Sequence, residues 1–386
     1  MSFINKNIES LAEYPFDRLR RLLANTKHKG SITDLSIGQP YHKTPSFVKE
    51  IIYKEKDNWN LYPPLKGVQI LQKSYLDWLK RRFQVNSYFD ERNILPLSGT
   101  KEGLFSIAMT VNFKKICIPN PFYQVYLGAT LFRDAKKIFL LSNKKNNYLI
   151  DLKKLEKNLK KGPALVYFCS PSNPQGKITN YMYIESLIKI IRKYNSVLIV
   201  DECYIDIYYN KKPVGAIEVC EKLGNKLDNI VIFHSLSKRS NVAGLRSGFV
   251  IGDNKIIECY KRLRSYSAPT IPIPLQLVSS KLWDDDKHIR ANREKYKKKL
   301  ALADKVFSNY KYYESPEAGF FLWLKVNNAK NFVKKAFYDY SIKIMPGEYL
   351  AAGNKRNPGN NYVRIALVHS YEKNKTALQQ IAKLLK

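Results

Sequence analysis

The sequence has few of the residues that mark secreted, metal-binding or membrane proteins. Its five cysteines are odd in number and form no CxxC pair, and its five histidines include no HExxH motif. This usage is typical of reduced thiols in a cytosol and argues against a disulfide framework or a structural metal site. The first residues lack the basic-then-apolar layout of a signal peptide, and no apolar run approaches the roughly 18 residues of a membrane span. We therefore expect a soluble, cytoplasmic protein without a membrane partner.

Acidic residues are also scarce, because 33 Asp and Glu stand against 66 Lys and Arg and leave a formal net charge of +33. Such a charge suggests nucleic acid or an anionic surface as a partner. However, 50 of the basic residues are Lys and 16 are Arg, spread over the whole chain. Base-reading proteins depend more on Arg, whose planar group pairs bidentately. We expect no nucleic-acid partner, and a basic nucleic-acid-binding or regulatory protein stays as the non-enzyme alternative.

The middle of the chain alternates short apolar runs with longer amphipathic stretches. Most of the runs are continuous and predict strands covered on both faces, at 115–118, 137–141, 164–169, 196–200, 229–234 and 248–251. The amphipathic stretches predict helices, among them 101–112, 152–160 and 181–194. This alternation predicts an α/β fold with a mostly parallel sheet covered by helices.

The last third of the chain changes character after three prolines between positions 269 and 274. A long charged helix is predicted over 275–309, and its basic run REKYKKK (293–299) is expected to be a solvated face. Two strand-like runs, GFFLWLK (319–325) and YVRIAL (362–367), precede a final helix that starts near Glu372. These elements predict a smaller α+β lobe.

The length of 386 residues fits one large domain and a smaller one. We assign residues 36–274 to the large domain. Residues 1–35 and 275–386 are assigned to the small domain, and the N-terminal segment is expected to pack on that lobe or on a partner subunit.

The motif SLSK (235–238) follows a predicted apolar strand and precedes Arg246 by eight residues, counted from Lys238. A partly desolvated lysine near fixed cations has a lowered pKa and becomes a nucleophile toward carbonyl groups. The two hydroxyls and the arginine would therefore suit binding of a phosphate dianion, and the lysine would supply a reactive amine. Taken alone, the motif is equally compatible with an ordinary surface turn.

Three more polar motifs follow strands or begin helices. Asp201 and Tyr204 lie in DECY after an apolar strand, Asn173 lies in SPSNPQG (170–176) after another, and SGTK (98–101) begins a helix. Each alone has a plainer interpretation as a helix cap or a turn. Together they lie where α/β sheets bind ligands, at the carboxyl ends of strands and at helix N-termini.

In order and spacing these motifs resemble the class I and II aminotransferases, which are pyridoxal 5′-phosphate enzymes of fold type I, almost from end to end. The resemblance implies that Lys238 is the catalytic lysine that bonds the cofactor. It assigns the cofactor phosphate to Ser235, Ser237 and Arg246, together with the backbone at Gly99 and Thr100 and the neighbouring Lys101.

The same resemblance assigns the cofactor ring. Asp201 would pair with the pyridine nitrogen and keep it protonated, so that the ring withdraws electrons. Tyr204 and Asn173 would hydrogen-bond the phenolic oxygen, and Tyr123 of PNPFY (119–123) would stack on the ring. Lys238 would then act as general acid and base, with ping-pong kinetics.

For the substrate, the resemblance implies that Arg364 clamps the α-carboxylate bidentately, while Asn173 contacts it and the backbone of Gly38 in SIGQP closes over it. Tyr62 in LYPPLKG would reach the phosphate of a neighbouring subunit, which implies a homodimer. The expected substrates are small amino acids and keto acids.

Several stretches are similar to the N-succinyldiaminopimelate aminotransferases of lysine biosynthesis, namely 13–23, 35–47, 235–250, 316–323, 345–351 and 363–368. This similarity implies transfer of an amino group between glutamate and N-succinyl-2-amino-6-oxopimelate. The sequence departs from that pattern at Glu348 and His369. An aspartate- or aromatic-type aminotransferase and a fold type I C–S lyase stay open, because each keeps the same cofactor residues.

Overall fold

A computed structural model of the protein describes residues 3, 6–9, 12–86, 89–130, 135–224, 226–267, 269–353 and 356–385. The strands within these ranges are, in chain order, β1 (Thr33–Asp34), β2 (Ile94–Leu97), β3 (Lys115–Asn120), β4 (Lys136–Leu141), β5 (Leu165–Cys169), β6 (Val197–Asp201), β7 (Ile230–Ser235), β8 (Gly248–Gly252), β9 (Phe321–Lys325), β10 (Ile342–Lys343), β11 (Met345–Pro346) and β12 (Tyr362–Ala366). The strands predicted from the apolar runs are confirmed, with small differences at their ends.

The helices alternate with these strands. They are α1 (Lys6–Glu9), α2 (Pro15–Leu23), α3 (Phe47–Lys54), α4 (Gln69–Phe83), α5 (Thr100–Ser106), α6 (Gln124–Ala129), α7 (Leu152–Leu159), α8 (Tyr181–Lys193), α9 (Ala216–Lys222), α10 (Leu236–Arg239), α11 (Asn254–Ser267), α12 (Ile273–Asp284), α13 (Lys287–Val306), α14 (Ala329–Tyr340) and α15 (Tyr371–Lys383). The helix predicted over 101–112 is α5 followed by a 3₁₀ turn, Ile107–Thr110.

A seven-stranded sheet in the order β2-β8-β7-β6-β5-β3-β4 forms the centre of the fold. Strands β3 to β7 pair in parallel, whereas β8 is antiparallel to both of its neighbours. The predicted mostly parallel α/β architecture is thus confirmed. In this register Cys169 pairs with Asp201 and Asp201 with Phe233. The carboxyl ends of β5, β6 and β7 therefore lie side by side.

Successive residues of the central strands face opposite cores, as the period of a strand requires. In β5, Val166 and Phe168 belong to the core on one face, while Leu165 and Tyr167 belong to the core on the other. Both faces are apolar, which explains the continuous apolar runs.

A third core lies around the antiparallel sheet β11-β12-β9. Leu19 and Leu23 of α2 join this core. The N-terminal segment therefore packs on the C-terminal lobe, which is the first of the two packing arrangements expected from the sequence. The numerical division into domains stays a prediction. No helix within the described ranges is both long and apolar enough to cross a membrane.

The prediction of one long helix over 275–309 was wrong in one respect, because the segment forms the two helices α12 and α13. The helix is interrupted at Asp285, whose carboxylate accepts the backbone N–H groups of Lys287 and His288 at 3.0 and 3.3 Å. This local capping competes with a continuous helix. The expectation that 293–299 is solvated was also wrong at two positions, because Tyr296 is fully buried and Lys299 is only 2% exposed.

Candidate active site

A cavity of about 260 Å³ opens at the carboxyl ends of β6 and β7. Of the residues predicted for the site, those that line it are Gly38, Thr100, Lys101, Tyr123, Asn173, Asp201, Tyr204, Ser235, Ser237, Lys238, Arg246 and Arg364. The structure therefore brings together side chains from widely separated motifs. Gly99 lies beside the cavity as the residue before α5, and Tyr62 lies away from it.

Lys238 lies on the short helix α10, directly after the buried strand β7. The hydroxyl of Ser235 accepts the backbone N–H of Ser237 at 3.1 Å and so caps the helix. The Lys238 amine donates to the carbonyl oxygen of Gly38. Burial lowers the pKa of Lys238 to about 8, and the nearby Arg364 and Arg246 act in the same direction. About one tenth of this amine is unprotonated at pH 7, far more than for an ordinary lysine, which favours its use as a nucleophile or general base.

Asp201 ends β6 and is 5% exposed. Its carboxylate accepts the hydroxyl of Tyr126 at 2.6 Å and the backbone N–H of Cys203 at 3.1 Å. Burial raises the pKa of this carboxyl. Among the residues that the structure describes, no cation forms a salt bridge with Asp201. A carboxylate held in this way can receive a positively charged ring nitrogen.

Arg364 lies on β12 and is 5% exposed. Its Nη1 donates to Asn173 Oδ1 at 3.0 Å, and its Nη2 donates to the Ser36 carbonyl at 2.8 Å. Its Nε is buried and has no hydrogen-bond partner. The guanidinium lies 4.2 Å from the centre of the Phe321 ring, and burial lowers the pKa of Arg364 to about 10. Within the described ranges no acidic residue pairs with it, so its charge is free to bind a ligand carboxylate in the cavity.

Gly99 and Thr100 lie at the start of α5, and Gly99 lies directly against Arg246. Gly99 has φ +87°, and a Cβ there would overlap the Arg246 guanidinium. Only glycine therefore lets the two residues approach so closely. Arg246 Nη1 donates to the Ala243 carbonyl at 2.8 Å, and its side chain has no acidic partner in the described part of the chain.

Two tyrosines, Tyr123 and Tyr204, also line the cavity. Tyr123 lines the cavity and packs edge-on against Tyr126, with ring centres 5.7 Å apart. Tyr204 is buried against Phe321, and burial raises the pKa of Tyr204.

Sequence reasoning missed several residues of the cavity. Tyr14 lines it, and the Lys101 amine lies 4.8 Å from the centre of the Tyr14 ring. Sequence reasoning also missed Tyr126, which does not line the cavity but donates its hydroxyl to the Asp201 carboxylate. The N-terminal stretch 13–23 was noted only as a similarity, without a role for Tyr14.

Tyr62 is fully exposed in the single chain. The nearby side chains of Trp59 and Leu61 are each about half exposed. Its predicted contact with a neighbouring subunit stays a prediction. The two departures from the expected pattern lie outside the cavity lining. Glu348 pairs with Lys330 at 2.6 Å, and His369 stacks on Tyr41 with ring centres 4.3 Å apart.

Comparison with known proteins gives a consistent result. The family model "Aminotransferase class I and II" matches residues 31–381. The chain is similar to the crystal structure of an aminotransferase from Neisseria meningitidis, at 32% identity and TM-score 0.93 over 99% of this chain and 100% of that one. It is also similar to aminotransferase AspB from Helicobacter pylori, at 34% identity and TM-score 0.91 over 97% and 99% of the two chains. An LL-diaminopimelate aminotransferase of Dehalococcoides mccartyi is 26% identical over 98% of both chains.

Proposed function

Since this chain belongs to the class I and II aminotransferase family, we propose that it transfers an amino group between glutamate and N-succinyl-2-amino-6-oxopimelate. This reaction belongs to the biosynthesis of diaminopimelate and lysine. Enzymes of the family depend on pyridoxal 5′-phosphate and act on amino acids and keto acids. The observation that carries the proposal is the buried Arg364 guanidinium, which faces the same cavity as Lys238 and has no acidic partner among the described residues.

The residues present fit this cofactor. Ser235, Ser237 and Arg246 would hold the phosphate, because they provide two hydroxyls and an unpaired cation at one end of the cavity. Asp201 would receive the protonated ring nitrogen, since its buried carboxylate otherwise meets only neutral donors. The amine of Lys238, whose pKa is lowered to about 8, would bond the carbonyl group.

When bound, pyridoxal phosphate supplies an electron-withdrawing ring that makes the Cα proton of the amino acid acidic. Lys238 Nζ would accept that proton and deliver it to the cofactor carbon that carries the amino group, C4′, as its lowered pKa allows. Asp201 keeps the ring nitrogen protonated. The donor and the acceptor use the same site in turn, so we expect ping-pong kinetics.

Arg364 would bind the α-carboxylate of each substrate. Its two neutral partners, the Asn173 amide oxygen and the Ser36 carbonyl, fix the guanidinium plane without neutralising its charge. A cation held in a low-dielectric cavity attracts a carboxylate strongly and orients it through paired hydrogen bonds. This orientation places the substrate Cα within reach of Lys238.

Lys101 is the cation we propose for the far end of a long substrate. Its exposed side chain crosses the ring of Tyr14 at the cavity mouth. The family resemblance assigns Lys101 to the phosphate; its amine also lies 4.8 Å from the centre of the Tyr14 ring, and both residues line the cavity. A succinylated dicarboxylate carries negative charge there, and the net charge of +33 provides a field that aids its capture.

A second candidate substrate is LL-diaminopimelate itself. Relatives with that activity in their names are 25–28% identical over 97–98% of this chain. The two substrates differ in the N-succinyl group, so Arg364 and Lys238 would serve both in the same way. The mouth of the cavity decides between them.

We further propose a homodimer in the cytoplasm. Exposed apolar side chains around Tyr62 would be covered by a second copy, with Tyr62 reaching the partner's phosphate. The cysteines of the described chain are all free thiols, which suits a reducing compartment.

The experiment compares four amino compounds with purified protein and 2-oxoglutarate. N-succinyl-LL-diaminopimelate, LL-diaminopimelate, aspartate and cystathionine are supplied in turn, and the glutamate or pyruvate formed is measured. We expect kcat/KM for the succinylated compound to exceed the others at least about tenfold, the factor that one added charge contact provides. Higher kcat/KM with LL-diaminopimelate would favour the second candidate, and pyruvate release from cystathionine without amino transfer would contradict both.

A further inference from the structure

One lysine of the basic run on α13 is buried. Lys299 is 2% exposed, whereas its neighbour Lys298 is exposed. The Lys299 amine lies 2.7 Å from His42 Nε2 and donates to the Leu367 carbonyl at 3.2 Å. It forms no salt bridge with any acidic residue that the structure describes. A charged amine buried without an acid is costly, and burial, with the nearby Lys295, lowers the pKa of Lys299 to about 7.

The hydrogen bonds beyond His42 lead to the catalytic lysine and have a fixed direction. The backbone carbonyls of Lys238 and Arg239 can only accept, and Asn292 Nδ2 donates to them at 3.4 and 3.0 Å. Asn292 Oδ1 therefore points the other way. It accepts from Asn241 Nδ2 at 2.9 Å and lies 2.8 Å from His42 Nδ1.

This direction determines the protonation of His42. Because Asn292 Oδ1 accepts, His42 Nδ1 must carry a hydrogen. Burial and the nearby Lys299 lower the pKa of His42 to about 4, so the ring is neutral at neutral pH. His42 Nε2 is then bare and accepts from Lys299. The hydrogen bonds that link Lys299 to the Lys238 carbonyl are thus fixed at every donor and acceptor.

His42 also ends the segment 36–42, which we name the substrate loop. Within this loop the Gly38 carbonyl accepts the Lys238 amine, and the Ser36 carbonyl accepts Arg364 Nη2. Movement of the loop would therefore disturb both the catalytic amine and the carboxylate clamp.

We infer that Lys299 and His42 are positioning residues, which hold the substrate loop over Lys238 through the directed chain Lys299–His42–Asn292. This inference rests on the proposed roles of Lys238 and Arg364. Neither Lys299 nor His42 lines the cavity, so neither is a catalytic residue.

Solid-state ¹⁵N NMR of histidine-labelled protein tests the direction of the chain without any substrate. The signals of His42 are those that H42Q removes. At pH 7.5 we expect a neutral ring with hydrogen on Nδ1 and a bare Nε2. A charged ring, or hydrogen on Nε2 alone, would overturn the inference.

Two pairs of variants test the positioning. H42Q retains an oxygen toward Lys299 and an NH₂ group toward Asn292, whereas H42L has neither. K299M removes the buried donor, and K298M makes the same change on an exposed neighbour. We expect faster amide hydrogen exchange in peptides covering 36–42 for H42L and K299M, and wild-type exchange for H42Q and K298M. Unchanged exchange in H42L, or equal effects of H42Q and H42L, would refute the positioning role.

Steady-state kinetics give a readout that a purely structural role would not move. Because the loop contacts both the Lys238 amine and Arg364, we expect kcat/KM for glutamate to fall about tenfold in H42L and K299M at equal cofactor content, with KM raised, and wild-type values in H42Q and K298M. Lower cofactor content with unchanged KM would contradict the inference. If the wild type itself does not turn over glutamate, the proposed function fails, while the exchange and NMR results still decide the inference.

Discussion

Replacement of Arg364 tests the carboxylate clamp most directly. In R364L the guanidinium is lost, and with it the free Nε donor and the charge that faces the cavity. A substrate carboxylate would lose about two charge-assisted hydrogen bonds, each worth about 1.5–3 kcal/mol. The sum of about 3–6 kcal/mol corresponds to a fall in kcat/KM of about 10²- to 10⁴-fold, at about 1.4 kcal/mol for each factor of ten.

R364K divides this effect into charge and geometry. Lysine keeps the positive charge but lacks the planar fork, so it offers one of the two paired hydrogen bonds. We therefore expect R364K to lose about 10- to 10²-fold in kcat/KM. The matched control is R290L, because Arg290 is an exposed arginine on α13 and should leave kcat/KM unchanged.

The assay follows the absorbance of the bound cofactor on mixing with glutamate, which isolates the first half-reaction. Cofactor content and the resting spectrum should match the wild type in all three variants, since Arg364 does not touch Lys238 through any hydrogen bond described. The melting temperature Tm of R364L should not be lower than that of the wild type, because the side chain removed is a buried cation without an acid. A value of kcat/KM for R364L within about threefold of the wild type would refute the clamp, since one charge-assisted hydrogen bond alone exceeds that factor.

Four other predictions address separate parts of the molecule. K238A should abolish the visible absorption of bound cofactor and all amino transfer, while circular dichroism stays that of the folded protein. D206N should lower the free energy of unfolding in urea by about 3–5 kcal/mol, because Asp206 pairs with two buried arginines. The same pairing holds the pKa of Asp206 below its usual range, so its stabilisation should be present above about pH 4 and be lost as the pH falls further, as acid-unfolding curves of wild type and D206N would reveal. K101M should raise KM about tenfold for the succinylated substrate and less for glutamate. Y62F should weaken cofactor retention during dialysis if Tyr62 reaches the partner's phosphate, and light scattering should give the mass of a dimer.

Local pattern was enough to predict the strands that carry the site. The runs that became β5, β6 and β7 are apolar on both faces, and each is followed by polar residues that end at the same sheet edge. The order of strands and polar motifs along the chain therefore predicts that Asn173, Asp201 and Lys238 lie together. Their chemical roles came from the family resemblance and not from the pattern.

Elements that depend on distant partners could not be predicted in this way. Strand β2 contains Pro96, which argues against a strand, yet β2 is at the edge of the sheet and pairs only with β8. The burial of Lys299 depends on His42, 257 positions away, while the run around it has the composition of a solvated helix face. The position of Tyr14 in the cavity likewise depends on how the N-terminal segment packs against residues distant in the sequence.

Buried cations separate structural from functional positions in this protein. Among the described residues, the buried Lys and Arg side chains with acidic partners are Arg82 and Arg239, which share Asp206, and Arg264, which pairs with Glu102. Arg364 and Lys299 are equally buried and form no salt bridge with an acid. An unpaired buried cation lowers the stability of the fold. Its presence therefore points to a role other than stability. For Arg364 the role we propose is to bind a substrate carboxylate. Lys299 meets no cavity, but its hydrogen bonds lead to the loop that contacts both Arg364 and Lys238, so the same reasoning that identifies the clamp also connects Lys299 to the reaction.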